Sequence, residues 1–243
     1  MTAAEALPVP VLAQPHWRVN FQPATYEKHR IPSLQECLDV VQKNRVRLRG
    51  WDFPHISRAP QLIYGPTWLG SWSDAFDHLE YWRLYQSAQF LYLGSVREVT
   101  EKNWNARIRE AMKVHADDNV DIDEVPGFLS ITEVIYNTTE MFEFAARLAQ
   151  AGIYTERIHI AISLTGVKNF MLAADENRGW TSDFVTSLND MTYEIPLTQT
   201  DLVASAADHA LRCTTWIFER FGWLKPNMGA IKSDQQKLLT RQW

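Results

Sequence analysis

Residues 78–96 read HLEYWRLYQSAQFLYLGSV. Apolar and aromatic side chains recur in both halves of this stretch, and Gln86-Ser87-Ala88 separates the halves. Aromatic-rich runs on either side of a short polar break are typical of two paired strands. The stretch therefore predicts a long β-hairpin, with a helix through its first half as the alternative, because short apolar runs are ambiguous.

Four further segments have strand patterns. In 156–164 the apolar residues Ile158, Ile160 and Ile162 alternate with other residues, which is typical of a half-buried strand. Outside the hairpin and the basic segment 45–49, which is treated below, the predicted strands are 61–64, 67–72, 156–164 and 192–197.

Several segments have the 3.6-residue periodicity of amphipathic helices: 34–44, 104–112, 131–150 and 201–221. Two of these segments begin with a capping box, since Ser33 lies three residues before Glu36 and Ser130 lies three residues before Glu133. This order of elements predicts an α+β fold, a mostly antiparallel sheet with helices packed on one side.

The sequence shows no internal repeat and no long linker, which predicts a single α+β domain over residues 31–224. Residues 1–30 are polar and contain prolines, and they are expected to be an N-terminal arm anchored by Trp17 and Phe21. Residues 225–243 are expected to be a polar C-terminal tail.

The charge balance argues against non-specific nucleic-acid binding by the whole surface. The chain has 24 basic and 29 acidic residues, a net charge of −5.

No apolar run reaches the length of a membrane span. Cys37 and Cys213 are far apart, and the N-terminus lacks a signal-peptide pattern, so we expect a cytoplasmic protein with two reduced thiols.

Local motifs for chemistry are missing from the sequence. It contains no GxSxG elbow, Walker loop or GxGxxG, and its seven histidines have no zinc-binding spacing. We therefore expect no metal and no cofactor, and the favoured interpretation assigns no catalytic residue.

A basic segment is the main candidate for binding. Arg45, Arg47 and Arg49 alternate with Val46 and Leu48, which predicts a half-buried strand with three arginines on one face. Side chains on one face of a strand lie about 6.5–7 Å apart, close to the spacing of phosphates along an extended strand. The alternative is a solvated strand face that pairs with neighbouring acids.

An aromatic loop after this segment, with part of the hairpin, completes the predicted contact surface, because aromatic rings beside cations stack bases or partner proteins. Its residues are Arg45, Arg47, Arg49, Trp51, Phe53, His55, Trp82 and Arg83.

Two alternatives remain open. One is a hydrolytic or nucleic-acid-processing enzyme whose site combines His55, His78, Asp52 and Glu80, since a histidine held by a carboxylate can act as an acid–base group. It predicts that His78 and Glu80 converge in a concave pocket near Arg83. The other is a small-ligand sensor, whose aromatic pocket would be lined by Trp68, Trp72, Tyr81 and Trp82.

The stretches RGWDFPH (49–55) and EYWRLYQSAQF (80–90) resemble a pattern of an uncharacterised bacterial protein family, which has glycine in place of Ala88. The resemblance implies a cytoplasmic bacterial accessory protein, associated with DNA-binding or mobile-element neighbourhoods, and it transfers no catalytic residue. The favoured interpretation, drawn from the predicted contact surface, is a non-enzymatic binding protein of a multi-component system linked to DNA or mobile-element defence. Because the net charge is negative, we expect its main partner to be another protein of that system, with nucleic acid as an additional one.

Overall fold

The structure is a computed structural model, and it describes residues 9–56, 62–75, 78–115, 120–174 and 183–242. Its helices are α1 (Val9–Leu12), α2 (Leu34–Asn44), α3 (Arg97–Thr100), α4 (Lys102–His115), α5 (Ile131–Gln150), α6 (Gln199–Arg220) and α7 (Met228–Thr240). Its strands are β1 (His16–Pro23), β2 (Leu62–Tyr64), β3 (Trp68–Ser73), β4 (Glu80–Tyr85), β5 (Phe90–Ser95), β6 (Phe128–Ser130), β7 (Arg157–Thr165), β8 (Met171–Ala173) and β9 (Asp190–Thr198).

The main sheet has seven antiparallel strands within this described part, in the order β2-β3-β4-β5-β1-β7-β9. A small parallel pair joins β6 and β8. The long helices α5 and α6 pack on each other and cover one face of the sheet, while the short α1 places Val11 beside Tyr81 and Leu93 on the other face. The predicted single α+β domain is confirmed.

The hairpin is confirmed as β4 and β5. Trp82 pairs with Tyr92 in its register, and both are buried. Ala88 in the turn has a φ of 65°, a left-handed conformation that costs a residue with a Cβ about 1–2 kcal/mol. The backbone oxygen of Ala88 accepts a hydrogen bond from the Tyr154 hydroxyl at 3.1 Å, which helps to hold this turn.

The expected N-terminal arm is wrong for residues 16–23. They form β1, an interior strand that pairs with β5 on one side and β7 on the other. Trp17, Val19 and Phe21 alternate with polar residues and are buried against the helices. The alternation was present in the sequence, but it is short and lies between proline-containing stretches.

The expected polar tail is also wrong, because 228–240 forms α7. The Asn227 side chain caps this helix by accepting a hydrogen bond from the backbone N–H of Ala230. Ile231 and Leu238 lie one heptad apart and are both buried, while Gln235 donates to the Thr139 hydroxyl at 3.1 Å. A few apolar side chains at helical spacing are enough to dock this mostly polar helix.

The predicted arginine strand is not a strand of the sheet. Val46 exchanges two backbone hydrogen bonds with Phe53, at 2.7 and 2.9 Å, in an isolated bridge. The chain bends over 48–51 to make this contact, and Val46 and Leu48 are buried beneath it. The apolar residues of the alternating pattern are therefore buried by a bent loop that lies over the core, and not by a strand paired within the sheet.

No helix among the described residues is both long enough and apolar enough to cross a membrane.

Candidate functional site

A cavity of about 500 Å³ lies between the sheet, the loop after α2 and one face of α5. We call it the inner cavity. Its aromatic lining consists of Trp17, Trp51, Phe53, Tyr92 and Tyr136. Its ionisable lining, apart from the tyrosines, consists of Arg49, His78, Glu80, Arg97, Glu133 and Glu140. Such a mixture of aromatic walls and a few convergent polar groups is typical of ligand sites.

One face of α5 supplies much of the polar lining. Glu133, Tyr136, Asn137, Glu140 and Met141 lie at positions i, i+3, i+4, i+7 and i+8, so they share a helix face. The Ser130 side chain caps this helix by accepting from the backbone N–H of Glu133 at 3.2 Å. The cap and the periodicity together orient both glutamates toward the cavity.

Arg49 is the centre of a network that joins the loop to α5. It donates from Nη1 to Glu133 Oε2 at 2.6 Å, and from Nη2 to Glu140 Oε2 at 2.8 Å. Its Nε also donates to Glu140, at 3.1 Å, and Nη2 donates to Asn137 Oδ1. The guanidinium carbon lies 5.7 Å from the centre of the Tyr136 ring. Every nitrogen of this guanidinium is therefore engaged within the protein.

The pKa values of the two glutamates of this network are shifted in opposite directions. Burial opposes the charge on Arg49, but Glu133 and Glu140 outweigh it and raise the arginine's pKa. Burial also works against ionised Glu133, yet Arg49 overcomes it and holds the glutamate's pKa below its usual value. For Glu140, burial dominates over Arg49 and raises the pKa, and the charges of Glu133 and Glu80 add to this effect.

Glu80 enters the cavity from β4 and ties the aromatic loop to the sheet. Its Oε2 accepts from the Trp51 indole N–H at 2.7 Å, and its Oε1 accepts from the backbone N–H of His55 at 2.7 Å. His78 Nε2 lies 3.6 Å from the same Oε2. The Trp51 ring stacks on the His55 ring with their centroids 3.9 Å apart. One buried carboxylate therefore positions a tryptophan and two histidines.

A third buried glutamate lies behind the cavity. Glu98 of α3 accepts at Oε1 from the backbone N–H of Ser130, the residue that caps α5, at 2.6 Å. Burial, followed by the charge of Glu133, raises the pKa of Glu98 to about 8. The protonation of Glu98 is thus linked to the end of the helix that carries Glu133.

The structure separates the three predicted arginines. Arg49 lines the cavity, whereas Arg45 pairs with Asp52 at 2.8 Å and the more exposed Arg47 lies 3.5 Å from the same carboxylate. The prediction that they form one continuous basic face is therefore wrong. The bend over 48–51 turns Arg49 inward, away from the other two.

The predicted aromatic and hairpin residues also have different positions. Trp51 and Phe53 line the cavity, and His55 stacks behind Trp51. Trp82 is fully buried and donates its indole N–H to the backbone oxygen of His55 at 2.6 Å. Arg83 lies on the opposite face of the sheet, with its guanidinium 3.9 Å from the centre of the Trp68 ring.

The structure brings together only some of the residues that the enzyme alternative assigned to acid–base catalysis, which are His55, His78, Asp52 and Glu80. His78 and Glu80 converge in the cavity, as the enzyme alternative requires, but Asp52 pairs with Arg45 and Arg83 is on the far face. Burial lowers the pKa of His55, although Glu80 and Asp52 oppose that effect. The sensor alternative predicted an aromatic pocket, but with other residues: Trp68, Trp72, Tyr81 and Trp82 do not line the inner cavity.

Sequence reasoning missed most of the cavity. Its unpredicted lining residues include Trp17, Tyr92, Arg97, Glu133, Asn137 and Glu140. The signal for three of them was available, since Glu133, Asn137 and Glu140 form a polar stripe at helical spacing on an otherwise apolar helix. No comparable signal linked Trp17 or Tyr92 to the site.

Among the residues that the structure describes, no group of three or more His, Cys, Asp or Glu side chains is arranged to hold a metal ion. Comparison of the chain with protein-family models, curated proteins and solved structures found no match.

Proposed function

We propose that the protein binds a small organic molecule in the inner cavity and acts as a ligand sensor. The observation that carries this proposal is the cavity of about 500 Å³, whose aromatic walls surround the ion pairs of Arg49 with Glu133 and Glu140 and the contact of His78 with Glu80. Known ligand pockets have volumes of roughly 300–1,000 Å³ and combine apolar walls with a few polar groups.

The pairing of the arginines supports a pocket rather than a phosphate-binding surface. Arg49 is committed to Glu133 and Glu140, and Arg45 to Asp52. A partner that used these guanidiniums would have to break those ion pairs. The accessory role implied by the bacterial resemblance, and the expectation that the partner is another protein of the same system, fit a sensor that transmits ligand binding to that partner.

A substitution that fills the cavity tests the proposal. Ala75 lines the cavity and is partly exposed, so Ala75→Trp would occupy its space, while Ala204→Trp places the same side chain on the exposed surface of α6. A fragment library is screened against the wild type by ligand-observed NMR, and each hit is then measured on both variants.

We expect hits that Ala75→Trp weakens at least about tenfold and that Ala204→Trp leaves unchanged. At a hundredfold excess over Kd, such a ligand would stabilise the wild type by about 2.7 kcal/mol, which a thermal-shift assay detects. A screen without hits, or hits that bind equally to the Ala75→Trp variant, would contradict the proposal.

A second candidate function is acid–base catalysis, favoured by the 3.6 Å approach of His78 to Glu80 inside the cavity. We test it with p-nitrophenyl acetate and bis(p-nitrophenyl) phosphate as probes. If the protein is an enzyme, the His78→Gln variant should hydrolyse these probes about 10²–10⁴-fold more slowly than the wild type. The control variant His159→Gln, on β7, should hydrolyse them at the wild-type rate. Equal hydrolysis by wild type and His78→Gln would reject this candidate.

A further inference from the structure

We infer that the ligand of the inner cavity is an organic cation, a molecule with a protonated amine or a similar N–H cation beside an aromatic body, which donates to Glu140. This inference rests on the proposed ligand-binding function and specifies the chemical class of the ligand. Three independent features of the cavity carry it: an unused acceptor, the balance of charges and the aromatic walls.

The unused acceptor is Glu140 Oε1. Glu140 is 2% exposed and lines the cavity, and its Oε2 accepts both hydrogen bonds from Arg49. Its Oε1 is buried without a hydrogen-bond partner among the described residues. Buried carboxylate oxygens are nearly always satisfied, since leaving one unpaired is costly. An N–H donor from a ligand in the cavity would satisfy it.

The charge balance selects a cation over an anion. The lining contains three carboxylates, Glu80, Glu133 and Glu140, against the two guanidiniums of Arg49 and Arg97. Arg49 is engaged at every nitrogen, and Arg97 Nε donates to Glu101 at 3.0 Å. With all three glutamates ionised, the cavity therefore has more carboxylates than guanidiniums, and an anionic ligand would face carboxylates.

The aromatic walls suit the same class of ligand. Trp17, Trp51, Tyr92 and Tyr136 line the cavity, and the faces of such rings attract cations electrostatically. The rings also contribute apolar contact area for the body of the ligand. A cation that combines an ammonium group with an aromatic ring would use both properties.

A proton on Glu140 competes with the cation. Burial raises the pKa of Glu140, and the charges of Glu133 and Glu80 add to this effect while Arg49 opposes it, so Glu140 takes up a proton at a higher pH than an ordinary glutamate. A cation that binds the ionised form must displace that proton, so its affinity should rise with pH until Glu140 is fully ionised.

The test uses three probes with the same ring and different charge: phenethylamine, 2-phenylethanol and phenylacetate. Isothermal titration calorimetry measures each on the wild type, on Glu140→Gln and on Glu143→Gln. Glu143 lies on the same helix outside the cavity lining, so it controls for the loss of a carboxylate from α5.

We expect phenethylamine to bind the wild type at least about tenfold tighter than the alcohol or the acid, since a hydrogen bond between charged groups contributes roughly that factor. Glu140→Gln should remove this preference, and Glu143→Gln should keep it. Wild-type affinity for phenethylamine should also rise with pH as Glu140 ionises. This pH measurement needs no variant, so it holds even where Glu140→Gln folds poorly.

If the alcohol or the acid binds as tightly as the amine, the cation inference is overturned. If Ala75→Trp then weakens the binding of that alcohol or acid, the proposed function still stands, because the probe binds in the inner cavity. If none of the three probes binds the wild type, the cation inference also fails. The fragment-library screen then decides the proposed function separately.

Discussion

Two charged depressions of similar size, both lined by residues that the structure describes, differ in how their charges are held. The inner cavity has a volume of about 500 Å³, and a cleft between β9, α6 and α7, the outer cleft, has about 580 Å³. In the outer cleft Asp208, Arg212, Glu219 and Lys232 are all exposed to solvent. Volume and the presence of charged groups therefore do not distinguish the two regions.

Burial and the sequence separation of the ion pairs do distinguish them. In the inner cavity Arg49 pairs with glutamates that are 84 and 91 residues away, one of which is almost fully buried. Beside the outer cleft, Glu219 pairs with Arg220, its immediate neighbour in the chain. Exposed pairs of this kind contribute little to stability, whereas removing one member of a buried pair is costly. A charged depression is thus a stronger candidate site when its ion pairs join distant elements.

The largest expected effect is the loss of Arg49. At pH 8, Arg49→Ala leaves Glu133 and Glu140 without their counter-ion and should lower the free energy of unfolding by about 3–5 kcal/mol in urea titrations. The matched change in the outer cleft, Arg212→Ala, should stay within about 0.5 kcal/mol. Similar losses in both variants would remove the energetic contrast between the two regions.

A pH dependence should come from Glu98, behind the inner cavity. The pKa of Glu98 is about 8 in the folded protein and near 4.5 in the unfolded chain. Between these pH values the Glu98 carboxyl is protonated in the folded protein and ionised in the unfolded chain. Stability from this group therefore falls as pH rises, by about 1 kcal/mol per pH unit between pH 5 and pH 8.

Glu98→Gln removes this titration and keeps an oxygen to accept from Ser130. The difference in unfolding free energy between wild type and this variant should decline steadily across that range. Glu219→Gln, beside the outer cleft, controls for the loss of one carboxylate from the chain. A difference that is constant from pH 5 to pH 8 would contradict the role of Glu98.

The smallest effect is expected for the indole of Trp51. Trp51→Phe removes the N–H that Glu80 accepts at 2.7 Å and should lower stability by about 1–2 kcal/mol. Trp216→Phe, in the half-buried wall of the outer cleft, should cost less. Equal losses in thermal unfolding would mean that the hydrogen bond to Glu80 adds nothing beyond ring packing.

Local pattern was a good guide wherever an element's own periodicity decided its structure. The hairpin, α5 and β7 were all predicted, because aromatic runs, capping boxes and alternation at 158–162 act over a few residues. The segment 45–49 had an equally clear alternation, yet it forms a bent loop. Alternation indicates only which side chains face the core. The backbone of Phe53 makes the hydrogen bonds to Val46 that a neighbouring strand would otherwise have made.

The sequence by itself determined which side chains share a helix or strand face, including the alignment of Glu133, Asn137 and Glu140 on α5. Only the tertiary structure decided that Arg49 would meet those glutamates and that Glu80 would hold Trp51 and His78. The physical reason is that periodicity sets directions within one element. The contacts of a cavity depend on how separate elements pack, and on which buried charges find partners across that packing.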